Sequence, residues 1–264
     1  MKAENIQKNI ADDGLREFFN QNNKAALGFS GGVDSSYILY AALQNNADIM
    51  PYFVKSPFQP QFELDDAKRL VEFLNCNIKI IDIDIDNLNS NDADIVSNGE
   101  HRCYYCKKKI FTTIKNQAIA DGYKVLIDGS NASDDAADRQ GMRATAELEV
   151  RSPLRECGIN KTEIRRLSKE AGLFTWNKPA YACLATRIKT SVPITAELLR
   201  KIEKSEDFLF TLGYTDFRVR TDGESAKIQV TENQAGNVIA DREKIYLELH
   251  KYFADVTLDL KYRD

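Results

Sequence analysis

The chain has 264 residues, 43% of them hydrophobic and 29% charged, and its 36 basic against 40 acidic residues leave a net charge of −4. That is the composition of an ordinary globular protein, with room for one large domain or a main domain plus a smaller appendage. It argues against a tRNA-sized partner, which needs a strongly basic face, and no internal repeat or low-complexity tract is visible. No run approaches the roughly 18 apolar residues of a membrane span, and the polar start Met1-Lys2-Ala3-Glu4-Asn5 lacks a signal-peptide core. No membrane association and a cytoplasmic location are therefore expected. Five cysteines, an odd number, read as thiols or metal ligands rather than a disulfide frame.

Along the chain, residues 5–20 read as an amphipathic helix. Strand-like apolar runs follow at 25–29, 49–54, 78–83 and 124–128, with helical segments near 36–45, 61–75 and 104–121 between them. This alternation predicts parallel βαβ units with right-handed crossovers. The Asn-, Asp- and Ser-rich stretch 86–102 reads as an exposed loop. A long helix over 195–212 ends at Gly213, a C-cap signal. Two short strands, 217–221 and 226–230, flank Asp222-Gly223-Glu224-Ser225, a hairpin signal, and a helix near 242–252 and a strand at 256–260 close the chain. The expected fold is α/β: a doubly wound, mostly parallel sheet over residues 1–190, with a small α+β substrate or oligomerisation domain over 191–264.

Chemistry concentrates first in Ser30-Gly31-Gly32-Val33-Asp34-Ser35-Ser36, between the strand at 25–29 and the following helix. Two glycines allow a sharp turn with inward N–H groups, and a helix N-terminus favours an anion. No Lys follows and no G-x-G-x-x-G is present, so neither the Walker loop nor the dinucleotide fingerprint applies. A ligand-free Ser/Gly turn capping a helix is the plain alternative. The pattern resembles the pyrophosphate loop of ATP pyrophosphatases, which split ATP into AMP and pyrophosphate. A second loop, Asp128-Gly129-Ser130-Asn131-Ala132-Ser133-Asp134-Asp135, follows the fourth strand at the same sheet edge. It suits contacts to ribose and adenine, with Asp34 as first candidate for Mg²⁺ and Asp134 or Asp135 behind it. A surface turn of turn-forming residues is the competing reading.

Cys103-Tyr104-Tyr105-Cys106 precedes a Lys-rich helix start and puts two sulfurs on one side of a helix. Cys183 lies far away, in a segment with Pro179 and Arg187. Three thiols can bind three irons of a 4Fe-4S cluster and leave the fourth open. Structural zinc completed by His101 and a thioredoxin-like pair are the alternatives. Cys76 and Cys157 read as structural.

Taken with G-M-R-A at 141–144, S-P-L at 152–154, W-N-K-P-A at 176–180, C-L-A-T-R at 183–187 and R-V-R at 218–220, these motifs resemble the LarE-type ATP-dependent sulfur transferases over about residues 10–235. The resemblance implies an adenine nucleotide alpha-hydrolase-like fold of the PP-loop superfamily and a transferase in nickel-pincer nucleotide biosynthesis. Such enzymes adenylate a carboxylate of pyridinium biscarboxylic acid mononucleotide, release pyrophosphate, and convert the carboxylate to a thiocarboxylate. It implies ATP at Ser30, Gly31, Gly32, Asp34, Ser35, Ser36, Gly129 and Ser130, with Mg²⁺ at Asp34. It implies a 4Fe-4S cluster on Cys103, Cys106 and Cys183, with sulfide or another sulfur donor as partner. Thr186, Arg187, Arg218 and Arg220 would clamp the substrate, since a guanidinium pairs phosphate and carboxylate bidentately. The chain is expected to form a homo-oligomer. Members with only the cysteine matching Cys183 sacrifice its sulfur; cluster-dependent tRNA thiolation, an amide-forming synthase and a nucleotide-binding regulatory module with structural zinc are the other readings. Two departures stand out: Ile188-Lys189-Thr190-Ser191-Val192-Pro193 replaces an expected Tyr-Gly turn, and Cys157 replaces a small residue.

Overall fold

The computed structural model describes residues 10–84, 92–134 and 139–263. In chain order it contains helix α1 (Ile10–Gln21), β1 (Lys24–Gly28), α2 (Val33–Gln44), β2 (Asp48–Lys55), α3 (Gln61–Phe73), β3 (Lys79–Asp82), the short α4 (Ala93–Val96) and α5 (Arg102–Ala120). Then come β4 (Val125–Ile127), α6 (Arg139–Glu147), α7 (Pro153–Glu156), α8 (Lys161–Glu170) and two 3-10 turns, Phe174–Asn177 and Leu184–Arg187. The chain finishes with α9 (Ala196–Thr211), β5 (Arg218–Thr221), β6 (Ser225–Gln229), α10 (Glu232–Ala240), α11 (Arg242–Leu249) and β7 (Asp255–Leu258).

The chain divides into two compact units. The first comprises residues 1–54, 61–82 and 106–178; the second comprises 55–60, 83–105 and 179–264. Segments well before residue 191 therefore pack with the C-terminal elements, because the chain passes into the second unit and back twice before entering it for good at Pro179.

The first unit is built on a four-stranded sheet of order β3-β2-β1-β4. Strand β1 runs parallel to β2, with Ala25 opposite Ile49, and parallel to β4, with Leu27 opposite Ile127. Ala25, Ala26 and Leu27 are fully buried, which is why this strand reads as an unbroken apolar run rather than an alternating one. Phe19, Ile38, Leu39, Leu70, Leu154, Ile164 and Leu173 complete the core around it. From β1 the chain goes outward to β2 and β3, then returns to place β4 on the other side. The crevice at the carboxyl ends of β1 and β4 is thus a topological switch point, the usual ligand position in such sheets. The expected α/β architecture is observed.

The second unit holds a three-stranded sheet of order β5-β6-β7. The Asp222–Ser225 turn makes β5 and β6 antiparallel, Arg218 opposite Gln229. Strand β7 joins β6 in parallel, which requires a crossover, supplied here by α10 and α11. Only the latter part of this crossover is legible in sequence; α10 hides in Glu232-Asn233-Gln234-Ala235-Gly236-Asn237, whose Asn and Gly are weak helix formers. Thr195 caps α9 by accepting from Leu198 N at 3.1 Å, and Gly213 follows it with φ +88°. Part of the stretch read as an exposed loop is instead built in. Asn98 is buried, donates to the carbonyls of Lys189 (2.9 Å) and Val192 (3.0 Å), and accepts from Arg102 Nη1 at 2.6 Å. Its polar character serves backbone groups rather than water. The rest of that stretch, residues 86–91, lies outside the described residues.

Candidate functional site

In the first unit, the turn after β1 meets the start of α2. Gly31 sits at φ +69°, and a Cβ there would meet Ala67 backbone at 3.3 Å, so both conformation and space require glycine. Gly32 is the N-cap of α2 and has no side chain to cap it, so no N-cap side chain competes for the first-turn N–H groups, which favour an anion. The serines hold the turn's shape: Ser30 Oγ lies 3.1 Å from Ser35 Oγ, Gly32 N–H donates to Ser30 Oγ at 3.3 Å, and Ser36 Oγ donates to Gly32 O at 2.7 Å. Ser35 and Ser36 are buried, and the Ser36 hydroxyl spends its proton on the backbone.

The second loop is brought against the first. A Cβ on Gly129 would meet Ser35 N at 3.1 Å and Asp34 Cβ at 3.4 Å, so glycine is what allows this approach. Ser130 donates its N–H (3.0 Å) and hydroxyl (2.7 Å) to Asp128, which also accepts from Ser152 Oγ at 2.7 Å. Asp134 accepts from Asn131 N and Nδ2, both at 2.8 Å. These two carboxylates are satisfied by neutral donors. Asp135 lies outside the described residues.

Asp34 is different. Its Oδ2 accepts from Lys161 Nζ at 2.5 Å, while Oδ1 is buried with no hydrogen-bond partner among the described residues. Burial pushes its pKa up, the Lys161 ammonium opposes that, and the Asp134 carboxylate adds to it. An orphaned carboxylate oxygen fits the ligand set of Mg²⁺, a hard cation that takes one or two carboxylates and completes its shell with phosphate and water. Lys161 was missed in the sequence. Its one signal is a cation in the first turn of α8, where the helix dipole disfavours it.

In the second unit, Cys183 precedes the 3-10 turn Leu184–Arg187. That segment is pinned to β5 by Lys189 N–H donating to Thr221 O at 2.9 Å and by a parallel bridge between Ile188 and Thr221. Arg187, expected as a substrate clamp, is almost completely buried. Its Nε and Nη2 donate to Glu206 at 2.9 and 3.2 Å, and its Nη1 donates to Ala182 O at 2.8 Å and Thr186 Oγ1 at 2.9 Å. Burial alone would lower its pKa, but Glu206 raises it. Arg218 is also buried, donating to Ala180 O at 2.7 Å and Phe217 O at 2.6 Å. Burial, then the charges of Arg187 and Arg263, push its pKa down to about 10. Both guanidiniums lie against the Tyr181 ring, 4.4 and 5.1 Å from its centroid. Glu206, which gathers Arg187, Tyr181 and Val219 N–H, is the second residue missed in the sequence.

A cavity of about 710 Å³ opens beside this turn, lined by Arg102, Thr186, Arg187, Lys189, Arg220 and Lys227, with Asp222 at its wall. Arg220 is exposed, and its Nη1 donates to Thr186 O at 3.1 Å. Thr186, Arg187 and Arg220 therefore share this cation-rich cavity, whereas Arg218 lies outside its lining.

None of the five cysteines is in a disulfide. Cys103 is exposed at the start of α5, where Arg102 Nη2 donates to its Sγ at 3.4 Å while Arg102 Nη1 donates to Ala185 O at 2.8 Å. One guanidinium thus ties the Cys103 helix start to the turn after Cys183. Burial pushes the Cys183 thiol up, Arg102 counteracts this, and a charge on Cys103 would add to it. Cys106 follows one helical turn after Cys103, in the part of α5 that belongs to the first unit. Among the described residues no set of three or more His, Cys, Asp or Glu side chains is arranged to hold a metal ion. Cys76 and Cys157 pack against the first unit's core. Among the described residues no helix is long and apolar enough to cross a membrane.

No protein-family model matches the chain. It is similar to the uncharacterized protein slr1717 of Synechocystis sp., 34% identical over 94% of this chain and 93% of the relative. It is likewise similar to MJ0830 of Methanocaldococcus jannaschii, 32% identical over 94% and 93%. A third relative, 29% identical over 90% of this chain and 86% of its own length, is the pyridinium-3,5-bisthiocarboxylic acid mononucleotide synthase of Lactiplantibacillus plantarum.

Proposed function

The chain belongs to the family that includes slr1717 and MJ0830, and on that footing we propose that it is an ATP-dependent sulfur-inserting enzyme of the LarE type. Its substrate in this reading is pyridinium biscarboxylic acid mononucleotide, one carboxylate of which becomes a thiocarboxylate. The observation that carries the reading is the cation-lined cavity of the second unit, built on the very turn that follows Cys183. A phosphorylated dicarboxylate needs several fixed positive charges, and sulfur chemistry needs a thiol beside them. The name of the L. plantarum relative supplies the substrate class.

A carboxylate is a poor acceptor for a sulfur nucleophile. Attack of its oxygen on the α-phosphorus of ATP expels pyrophosphate and leaves an acyl adenylate, whose AMP is a good leaving group. In the first unit, the first-turn N–H groups of α2 suit the phosphates and Asp34 would hold Mg²⁺, which offsets phosphate charge when bound. In the second unit, Arg220, Lys189 and Lys227 suit the substrate's anionic groups. A sulfur nucleophile then adds to the acyl carbon and AMP departs.

In this reading the sulfur step rests on Cys183. We favour a 4Fe-4S cluster on Cys103, Cys106 and Cys183 as the bound state that supplies sulfide. The alternative is Cys183 itself: its thiolate displaces AMP to form a thioester, and loss of the Cα proton breaks the Cβ–S bond, leaving dehydroalanine. Anaerobic isolation with iron and sulfide decides between them. A brown protein with labile sulfide and repeated turnover supports the cluster; a colourless protein that turns over once, with Cys183 lighter by H₂S, supports sacrifice. Absence of ATP- and substrate-dependent pyrophosphate release in both preparations rejects the function.

A further inference from the structure

Helix α8 begins at Lys161, and its placement is fixed by the nucleotide edge itself. The Lys161 backbone N–H donates to Ser133 Oγ at 2.9 Å, and Asn160 caps the helix by accepting from Glu163 N at 2.9 Å. From there the ammonium reaches Asp34 at 2.5 Å, across 127 residues of sequence. Stability does not explain this contact. A lysine in a first helical turn works against the dipole, and with the two side chains 35% and 21% exposed the ammonium keeps access to solvent. The pairing is also one-sided, since Asp34 Oδ1 stays buried and unpartnered among the described residues. Of the described carboxylates at this edge, Asp128 and Asp134 are held by neutral donors, and Asp34 is the one whose partner is a flexible cation.

We propose that Lys161 is an exchangeable counter-charge: it neutralises Asp34 in the empty loop and moves to the pyrophosphate portion of the nucleotide when a divalent cation takes Asp34. The proposal rests on the ATP reading above. A hard dication outcompetes an ammonium for carboxylate oxygens, and the orphaned Oδ1 gives it a second point of attachment. The four-carbon stem of lysine lets the charged head swing without moving the helix. Once released, the ammonium offsets charge building on the leaving pyrophosphate, which helix N–H groups offset only with partial charges. Neither the substrate acid nor the sulfur step is involved.

The test uses the full chain and the variants Lys161→Met and Lys161→Arg at about pH 8, where carboxylates are ionised. Mn²⁺ alone is titrated by the electron paramagnetic resonance of the free ion, and inorganic pyrophosphate is titrated calorimetrically under saturating Mn²⁺. Lys161→Met should bind Mn²⁺ several-fold more tightly, because a competitor is gone. It should bind pyrophosphate about 10–100-fold more weakly, the loss expected for a charge-assisted hydrogen bond. Lys161→Arg should keep pyrophosphate affinity within a few-fold. A merely structural lysine would weaken both ligands together. Mn²⁺ affinity that fails to rise, or pyrophosphate affinity that fails to fall, overturns the proposal. A native chain that binds neither pyrophosphate nor ATP overturns the nucleotide reading instead.

Discussion

Replacing Glu206 by Gln removes one charge from the most buried ion pair among the described residues, and the consequence is calculable. Glu206 and Arg187 are each about 1% exposed. The carboxylate accepts from Arg187 Nε (2.9 Å) and Nη2 (3.2 Å), from Val219 N (2.9 Å) and from the Tyr181 hydroxyl. Glutamine has the same shape but offers one acceptor oxygen and leaves the guanidinium uncompensated. Breaking a buried pair on one side costs about 3–5 kcal/mol, or roughly 6–20 °C of melting temperature in a chain this size. Urea unfolding of the second unit, followed by far-UV circular dichroism, measures it. The turn should loosen as well, because Arg187 Nη1 holds Ala182 O and Thr186 Oγ1; Cys183 should then alkylate faster than in the native chain at equal pH. In the double variant Glu206→Gln with Arg187→Met the uncompensated charge is gone, so part of the stability returns. A loss for Glu206→Gln below about 1 kcal/mol, the range of exposed pairs, would refute the reasoning.

Gly129→Ala places a Cβ about 3.1 Å from Ser35 N. Pushing the loops apart costs about 1–3 kcal/mol, and calorimetry should show ATP binding weakened by at least about tenfold. Cys106→Ala and Cys183→Ala should both retain substrate-dependent pyrophosphate release while losing thiocarboxylate formation, read by mass spectrometry of the product. The Asp222 carboxylate accepts from Glu224 N (3.1 Å), Ser225 N (2.9 Å) and Ser225 Oγ (2.9 Å), which pulls its pKa down to about 2. Its contribution to the hairpin is therefore complete above the unfolded carboxylate range near 3.9 and disappears as pH falls through about 2. The gap in urea stability between the native chain and Asp222→Ala should close over that interval and stay constant above it.

The sequence alone determined what short-range geometry controls. The glycine turn at 30–32 and the Asp222-Gly223 hairpin are each legible because a few neighbouring residues fix the backbone. So is the alternation of buried strands with helices, because burial on both faces demands unbroken apolar runs. The C-x-x-C helix start was legible for the same reason. Only the tertiary structure decided which side chains those elements bring together. The Lys161–Asp34 contact joins residues 127 positions apart, and Arg187, read as a substrate clamp, is also held in a buried pair with Glu206. Asn98, set in a stretch that looked like exposed loop, is buried against the Lys189 and Val192 carbonyls. Each outcome depends on desolvation and hydrogen-bond partners contributed by distant parts of the chain, and no local pattern carries that information.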